Sequence, residues 1–118
     1  MKPNPARVAE FLGHILQAIT RISSYIAGLS GIEFAANPLV QDAVIRNIEI
    51  MGEAARNIGL ADPDFAARHP ALPLYEIYLM RNRLAHGYFT VDMALVWNAV
   101  TAEIPPLKAQ IEAILRQP

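Results

Sequence analysis

The chain has 118 residues, no cysteine and a formal net charge of −1. That length suits one domain spanning residues 1–118 with its own core, and the lack of thiols excludes a thiolate nucleophile, a disulfide framework and a Cys-based zinc site. A near-neutral chain has no global field to attract nucleic acid, so any such contact has to come from a local group of arginines.

The first periodic segment runs from about Pro5 to Gly28. Val8, Phe11, Leu12, Ile15, Leu16, Ile19, Ile22 and Ile26 recur at steps of three and four, which is one apolar stripe on a helix. Glu10 and His14 interrupt it where a signal peptide would be unbroken. No apolar run in the chain approaches the ~18 residues needed to span a bilayer, so a cytoplasmic protein with no membrane contact is expected. "GLSG" ends this segment, since glycine tolerates the left-handed conformation of a helix stop; without a lysine and a preceding strand it is no phosphate loop.

The second helix is expected from Asn37, a good N-cap, with Pro38 at the first helical position. Val40, Val44, Ile48, Met51, Ala55 and Ile58 continue its stripe and Gly59 is a natural stop. Arg46, Glu49, Glu53 and Asn57 form a polar stripe beside it, readable as a solvated face of paired charges, or with Glu53 and Arg56 facing a dimer groove where they order Arg81 or touch RNA. "ADPDFAARHPALP" is a connector with room for one short helical turn, in which "DPD" is a turn or cap and His69 is solvated.

A third helix runs from about Leu74 to Ala85, anchored by Leu74, Ile77 and Leu84 and closed by Gly87. Asp92 can cap a fourth, with Leu95, Val96, Ala99, Val100 and Ile104 on its stripe and Trp97 in a core or dimer contact. Pro105 and Pro106 remove two N–H donors and should bend or restart it before "LKAQIEAIL" resumes the pattern. No segment alternates like a strand, so the expected fold is all-α: an antiparallel bundle of four to five helices, the fourth bent at Pro105–Pro106. A hydrophobic fraction of 53%, above the usual ~45–50%, points to an oligomer.

Chemistry concentrates in "RNRLAHGYF", Arg81 to Phe89. On one straight helix Arg81 and His86 lie about 140° apart; a helix that stops near Ala85 and turns at Gly87 lets the later groups swing back toward the arginine. Two readings fit. Cationic residues at a helix C-terminus offset the macrodipole by ~0.3–1 kcal/mol, or the helix end is a site. Histidine titrates near neutrality and can take a proton, whereas arginine stays charged and grips phosphate with a planar fork. Three scattered histidines, with His14 read as an ordinary helix-face residue, make no metal site.

"RNRLAHGY" matches the R-x4-6-H motif of the HEPN superfamily, and "HGY" extends it to the R-x4-6-H-x-Y form of the HepT-like branch. "ILQAITRISSYIAGLS", "DAVIRNIEIMGEAARNI" and "LMRNRLAHGYFTVDMALVWNAVTAEIPPLKAQIEAIL" resemble that branch in order and spacing, so the likeness covers nearly the whole chain. The resemblance implies a HEPN-type helical homodimer. It implies a metal-independent, cofactor-free ribonuclease toxin of a type VII toxin–antitoxin pair, encoded beside a minimal nucleotidyltransferase antitoxin. It places Arg81, Asn82 and His86 as catalytic residues on an RNA substrate and Tyr88 as the acceptor of silencing AMP. Arg83, Glu53, Arg56 and Arg46 are candidates to support the site or touch RNA. The competing expectation is a non-catalytic nucleotide-binding or regulatory subunit of a nucleotidyltransferase complex.

Overall fold

The computed structural model describes residues 3–86 and 92–117, without the side chains of residues 84–86. A 3-10 turn, Pro5–Arg7, leads into α1 (Val8–Ile26). There follow α2 (Gly31–Ala35), α3 (Pro38–Ala61), α4 (Phe65–Arg68), α5 (Leu74–His86) and α6 (Met93–Asn98); a π-helical turn over Ala99–Glu103 then joins α6 to α7 (Pro105–Leu115). Among the described residues there is no strand, and no helix is long and apolar enough to cross a membrane. The fold is the expected all-α bundle, with α1, α3, α5 and the α6–α7 arm as its four principal rods.

The apolar stripe of α1 is its buried face: Phe11, Leu12, Ile15, Ile19 and Ile22 are all at or below 3% exposure. The chain then turns at Gly28, whose φ of +77° is the left-handed conformation a side chain resists. Sequence periodicity gives no sign of α2, which is too short to show a repeat. Its signal is chemical, a capping box. The Glu33 N–H donates to Ser30 Oγ at 3.1 Å, and the Ser30 N–H donates to Glu33 Oε1 at 2.9 Å. The box fixes one turn that drives Phe34 fully into the core, its ring 5.1 Å from that of Trp97.

The central rod is α3, with α1 and α5 packed along it. Asn37 caps it as expected, its Oδ1 accepting from the Val40 N–H at 3.1 Å, with Pro38 at the first position. Its 24 residues span about 36 Å at ~1.5 Å per residue. The helix does not stop at Gly59. It continues through Ala61, which is fully buried, and the Asp62 N–H donates to the Ile58 carbonyl at 2.9 Å. "DPD" is a cap and turn: the Asp62 carboxylate accepts from the Asp64 N–H and pairs with Arg68. His69 is not simply solvated, since its ring lies 4.4 Å from that of Phe65.

Helix α5 runs antiparallel to α3. Leu74 and Tyr75 at its start sit beside Ile58 and Gly59, and Ile77 and Arg81 sit beside Gly52. In the last arm Asp92 Oδ1 accepts from the Ala94 N–H at 2.9 Å, as a cap should. Val96, Val100 and Ile104 are buried, but Leu95 is 68% exposed. Adjacent helical residues lie ~100° apart, so Val96 takes the core position and Leu95 cannot. The break at the prolines is a restart. The Ile104 N–H reaches back five residues to the Ala99 carbonyl at 2.8 Å, and Pro105 opens α7 where no N–H is needed. The π turn that absorbs the mismatch had no sequence signal.

Candidate functional site

Of the site candidates, Arg81 and Glu53 meet on the α3–α5 seam, and Gly52 explains how. A Cβ built at Gly52 would overlap Arg81 Cβ, lie 2.6 Å from Arg81 Cγ and come within 3.3 Å of the Ile77 carbonyl oxygen. The bare α3 backbone therefore lets α5 approach until the stem of Arg81 lies against it. A mid-helix glycine costs about 0.8–1.0 kcal/mol relative to alanine, and here the return is close contact. Burial of Ile77, at 5% exposure, anchors the same turn of α5 from below.

From that stem the guanidinium of Arg81 emerges into a cleft of about 280 Å³, shared with His14, Arg46, Glu49, Glu53 and Asn57. Its side chain keeps 33% exposure. Arg81 Nη2 stands 3.8 Å from Glu53 Oε2, and Arg81 Nη1 donates to Asn82 Oδ1 at 3.2 Å. Glu53 also lies 3.7 Å from Arg56 Nη1, so one carboxylate links two arginines. All of these groups are substantially solvated, and pairs of this kind are worth ~0–1 kcal/mol. Glu53 can thus orient Arg81 and still yield it to a stronger anion. A phosphate suits the guanidinium fork in two parallel charge-assisted bonds.

The polar stripe of α3 is therefore not just a solvated face: all four of its members line the cleft. The structure also adds two residues to the cleft and its wall, one read from sequence as an ordinary helix-face histidine and one not singled out. His14 lines the cleft from α1, an outcome that its own helix pattern could not reveal. Gly52 had a signal, as an isolated glycine inside a strongly periodic helix calls for a packing reason. Arg83 is exposed and is not among the cleft walls, since two residues on from Arg81 a helix has turned by about 200°. Arg56 borders the cleft only through Glu53.

His86 is the last described residue of α5, and its side chain lies outside the described residues. Tyr88 and Gly87 lie outside the described residues altogether. Among the described residues no three His, Asp or Glu side chains gather as metal ligands would.

The family model described as ribonuclease HepT-like matches residues 15–114. A protein of Caldanaerobacter subterraneus subsp. tengcongensis, named "Putative RNase TTE0752", is 35% identical over 107 residues, covering 91% of this chain and 93% of that one. The "Probable ribonuclease HepT" of Thermococcus cleftensis is 37% identical over 105 residues, covering 89% of this chain and 93% of the relative. In Methanocaldococcus jannaschii, "Gamma-glutamylcyclotransferase and putative RNase MJ0434" is 37% identical over 107 residues, which are 91% of this chain and 47% of that longer protein. No solved structure matches the chain.

Proposed function

The chain belongs to the HepT-like ribonuclease family, and from that premise we propose that it is a metal-independent ribonuclease whose phosphate clamp is Arg81 and whose general base is His86. The observation that carries this reading is the seating of the Arg81 stem on Gly52, which presents the guanidinium at the mouth of a polar cleft.

The chemistry follows from the groups. A phosphodiester oxygen pair takes the Arg81 fork in place of Glu53, and Asn82 holds the guanidinium from the other side. His86 takes the proton of the ribose 2′-OH. The new O2′–P bond forms as the P–O5′ bond breaks, the Arg81 charge meets the charge growing on the phosphoryl oxygens, and the departing 5′ oxygen is protonated by an acid or ordered water. The products are a 2′,3′-cyclic phosphate and a free 5′-OH. Base catalysis of this kind supplies ~10²–10⁴-fold, with a comparable share from electrostatic stabilisation. DNA, lacking the 2′-OH, is not cut.

In the same reading a second copy of the chain brings a matching Arg81 and His86 to a shared groove. RNA contacts extend to Arg46, and the protein acts as a cytoplasmic toxin. A cognate minimal nucleotidyltransferase antitoxin silences it by adding AMP to Tyr88. Each AMP places about one negative charge close to the clamp in sequence and repels RNA by the logic that governs phosphorylation. The test is incubation of the pure protein with end-labelled tRNA and mRNA in EDTA, beside Arg81→Ala and His86→Ala. Wild type should yield cyclic-phosphate ends, and neither variant should. Wild-type inactivity, or a His86→Ala protein as toxic to cells as wild type, refutes the assignment.

A further inference from the structure

A second groove, of about 260 Å³, opens where the end of α3 meets α4 and the start of α5. Its floor is apolar, built from Ala55, Ile58, Phe65 and Leu74, and its rim carries Tyr75, Tyr78 and Arg56. Tyr75 is 66% exposed, a large aromatic surface left open to solvent beside a concave apolar wall. Asp62, the remaining charged group of the lining, is already paired with Arg68.

The groove adjoins the clamp through both helices. On α5, Tyr78 precedes Arg81 by three residues and Tyr75 by six, which puts them about 4.5 and 9 Å back along the axis and about 60° and 120° round it, so Tyr78 is the nearer neighbour of the clamp. On α3, Arg56 follows Glu53 by three residues and pairs with it at 3.7 Å, while Glu53 pairs with Arg81. A strand that leaves its phosphate on Arg81 and runs toward Arg56 reaches the rim of this groove, where Tyr78 is the nearer of the two tyrosines.

We infer that this groove is a nucleobase subsite: a base of the RNA strand, adjacent to the phosphate held by Arg81, stacks on Tyr78 and Tyr75 with the Arg56 guanidinium at its edge. The inference rests on the ribonuclease reading for its phosphate and adds the next contact along the strand. The volume of about 260 Å³ falls below the ~300–1,000 Å³ of sites for whole small molecules, so it fits a single planar base better than a complete nucleotide cofactor. Recognition is by the π face and is sequence-tolerant.

The test uses a fluorescent, uncleavable 2′-O-methyl oligoadenylate and an abasic phosphodiester of equal length, titrated against the full chain in EDTA and read by anisotropy. Wild type should prefer the base-bearing chain by on the order of 5- to 150-fold, the range of one or more base–aromatic stacks. In Tyr75→Ala/Tyr78→Ala that preference should collapse, while Tyr75→Phe/Tyr78→Phe keeps it, since stacking needs no hydroxyl. Equal affinity of wild type for both chains overturns the inference without any variant having to fold. So does a preference that survives the double alanine substitution. If sedimentation shows that the alanine variant loses a dimer while its base preference is unchanged, the groove belongs to a second copy and the inference also fails. Because binding is read without cleavage, a wild type that prefers bases but never cuts RNA sinks only the nuclease reading. One that cuts RNA with no base preference sinks only the subsite.

Discussion

Replacing Gly52 with alanine separates the geometry of the site from the stability of the fold. The new methyl would meet Arg81 Cγ at 2.6 Å and overlap Arg81 Cβ, whereas carbon atoms settle at about 3.5–4.0 Å. α5 must then move off α3 by on the order of 1 Å, or the Arg81 stem must bend away by as much. Overpacking of this kind costs ~1–3 kcal/mol. Alanine returns about 0.8–1.0 kcal/mol of helix propensity, so the net loss is roughly 0–2 kcal/mol. At about 4 °C per kcal/mol for a domain of this size, the melting temperature falls by less than ~8 °C and the protein stays folded. Activity is more sensitive, because a misplacement of about 1 Å can cost ~10²-fold. The control is Gly13→Ala in α1, where a Cβ meets nothing within 4 Å; it should gain stability and keep full activity. Urea melts and initial rates of RNA cleavage on the three proteins decide the matter. A Gly52→Ala protein as stabilised and as active as Gly13→Ala would show that the α3–α5 contact does not position the clamp.

Arg81→Lys keeps the charge and loses the fork. With one charge-assisted bond lost, worth ~1.5–3 kcal/mol, cleavage should fall about 10- to 150-fold while the melting temperature is unchanged, and full activity would refute bidentate binding. Glu53→Gln removes a negative charge that sits 3.8 Å from Arg81 and 3.7 Å from Arg56. Stability should move by less than about 0.5 kcal/mol, and RNA should bind more tightly, most visibly at low salt, in an anisotropy titration. Glu33 is held below the usual carboxylate range, first by the Ser30 backbone N–H and then by the Ser30 side chain. A carboxyl whose folded pKa is lowered contributes stability above its unfolded value of about 4.3 and loses it as pH falls through the folded value. Wild type should therefore exceed Glu33→Gln in melting temperature at pH 6, with the gap closing as the pH is lowered below about 4. A gap that is constant from pH 6 to about 3 would mean the capping box carries no charge-dependent stability.

The four rods were legible in the residues because period and caps are local properties. Phe11, Ile15, Ile19 and Ile22 had to share one face of α1 wherever it packed, and Asn37–Pro38 had to open a helix. The Ser30–Glu33 box was equally local, and α2 escaped only because five residues cannot show a period. The motif residues were legible through family likeness, and their chemistry through the pKa of imidazole and the shape of guanidinium. What sequence could not supply was which helix lies against which. Gly59 looked like a stop because glycine permits one, but burial of Ala61 carries α3 onward. Leu95 and Val96 are equal claimants to the core until the α6–α7 arm takes its orientation. His14 joins the cleft solely because α1 and α3 are neighbours there, and Gly52 matters solely because Arg81 arrives opposite it. Helix periodicity and side-chain chemistry are written residue by residue; the meeting of Arg81 with Gly52, Glu53 and His14 depends on separations of tens of residues, which only packing resolves.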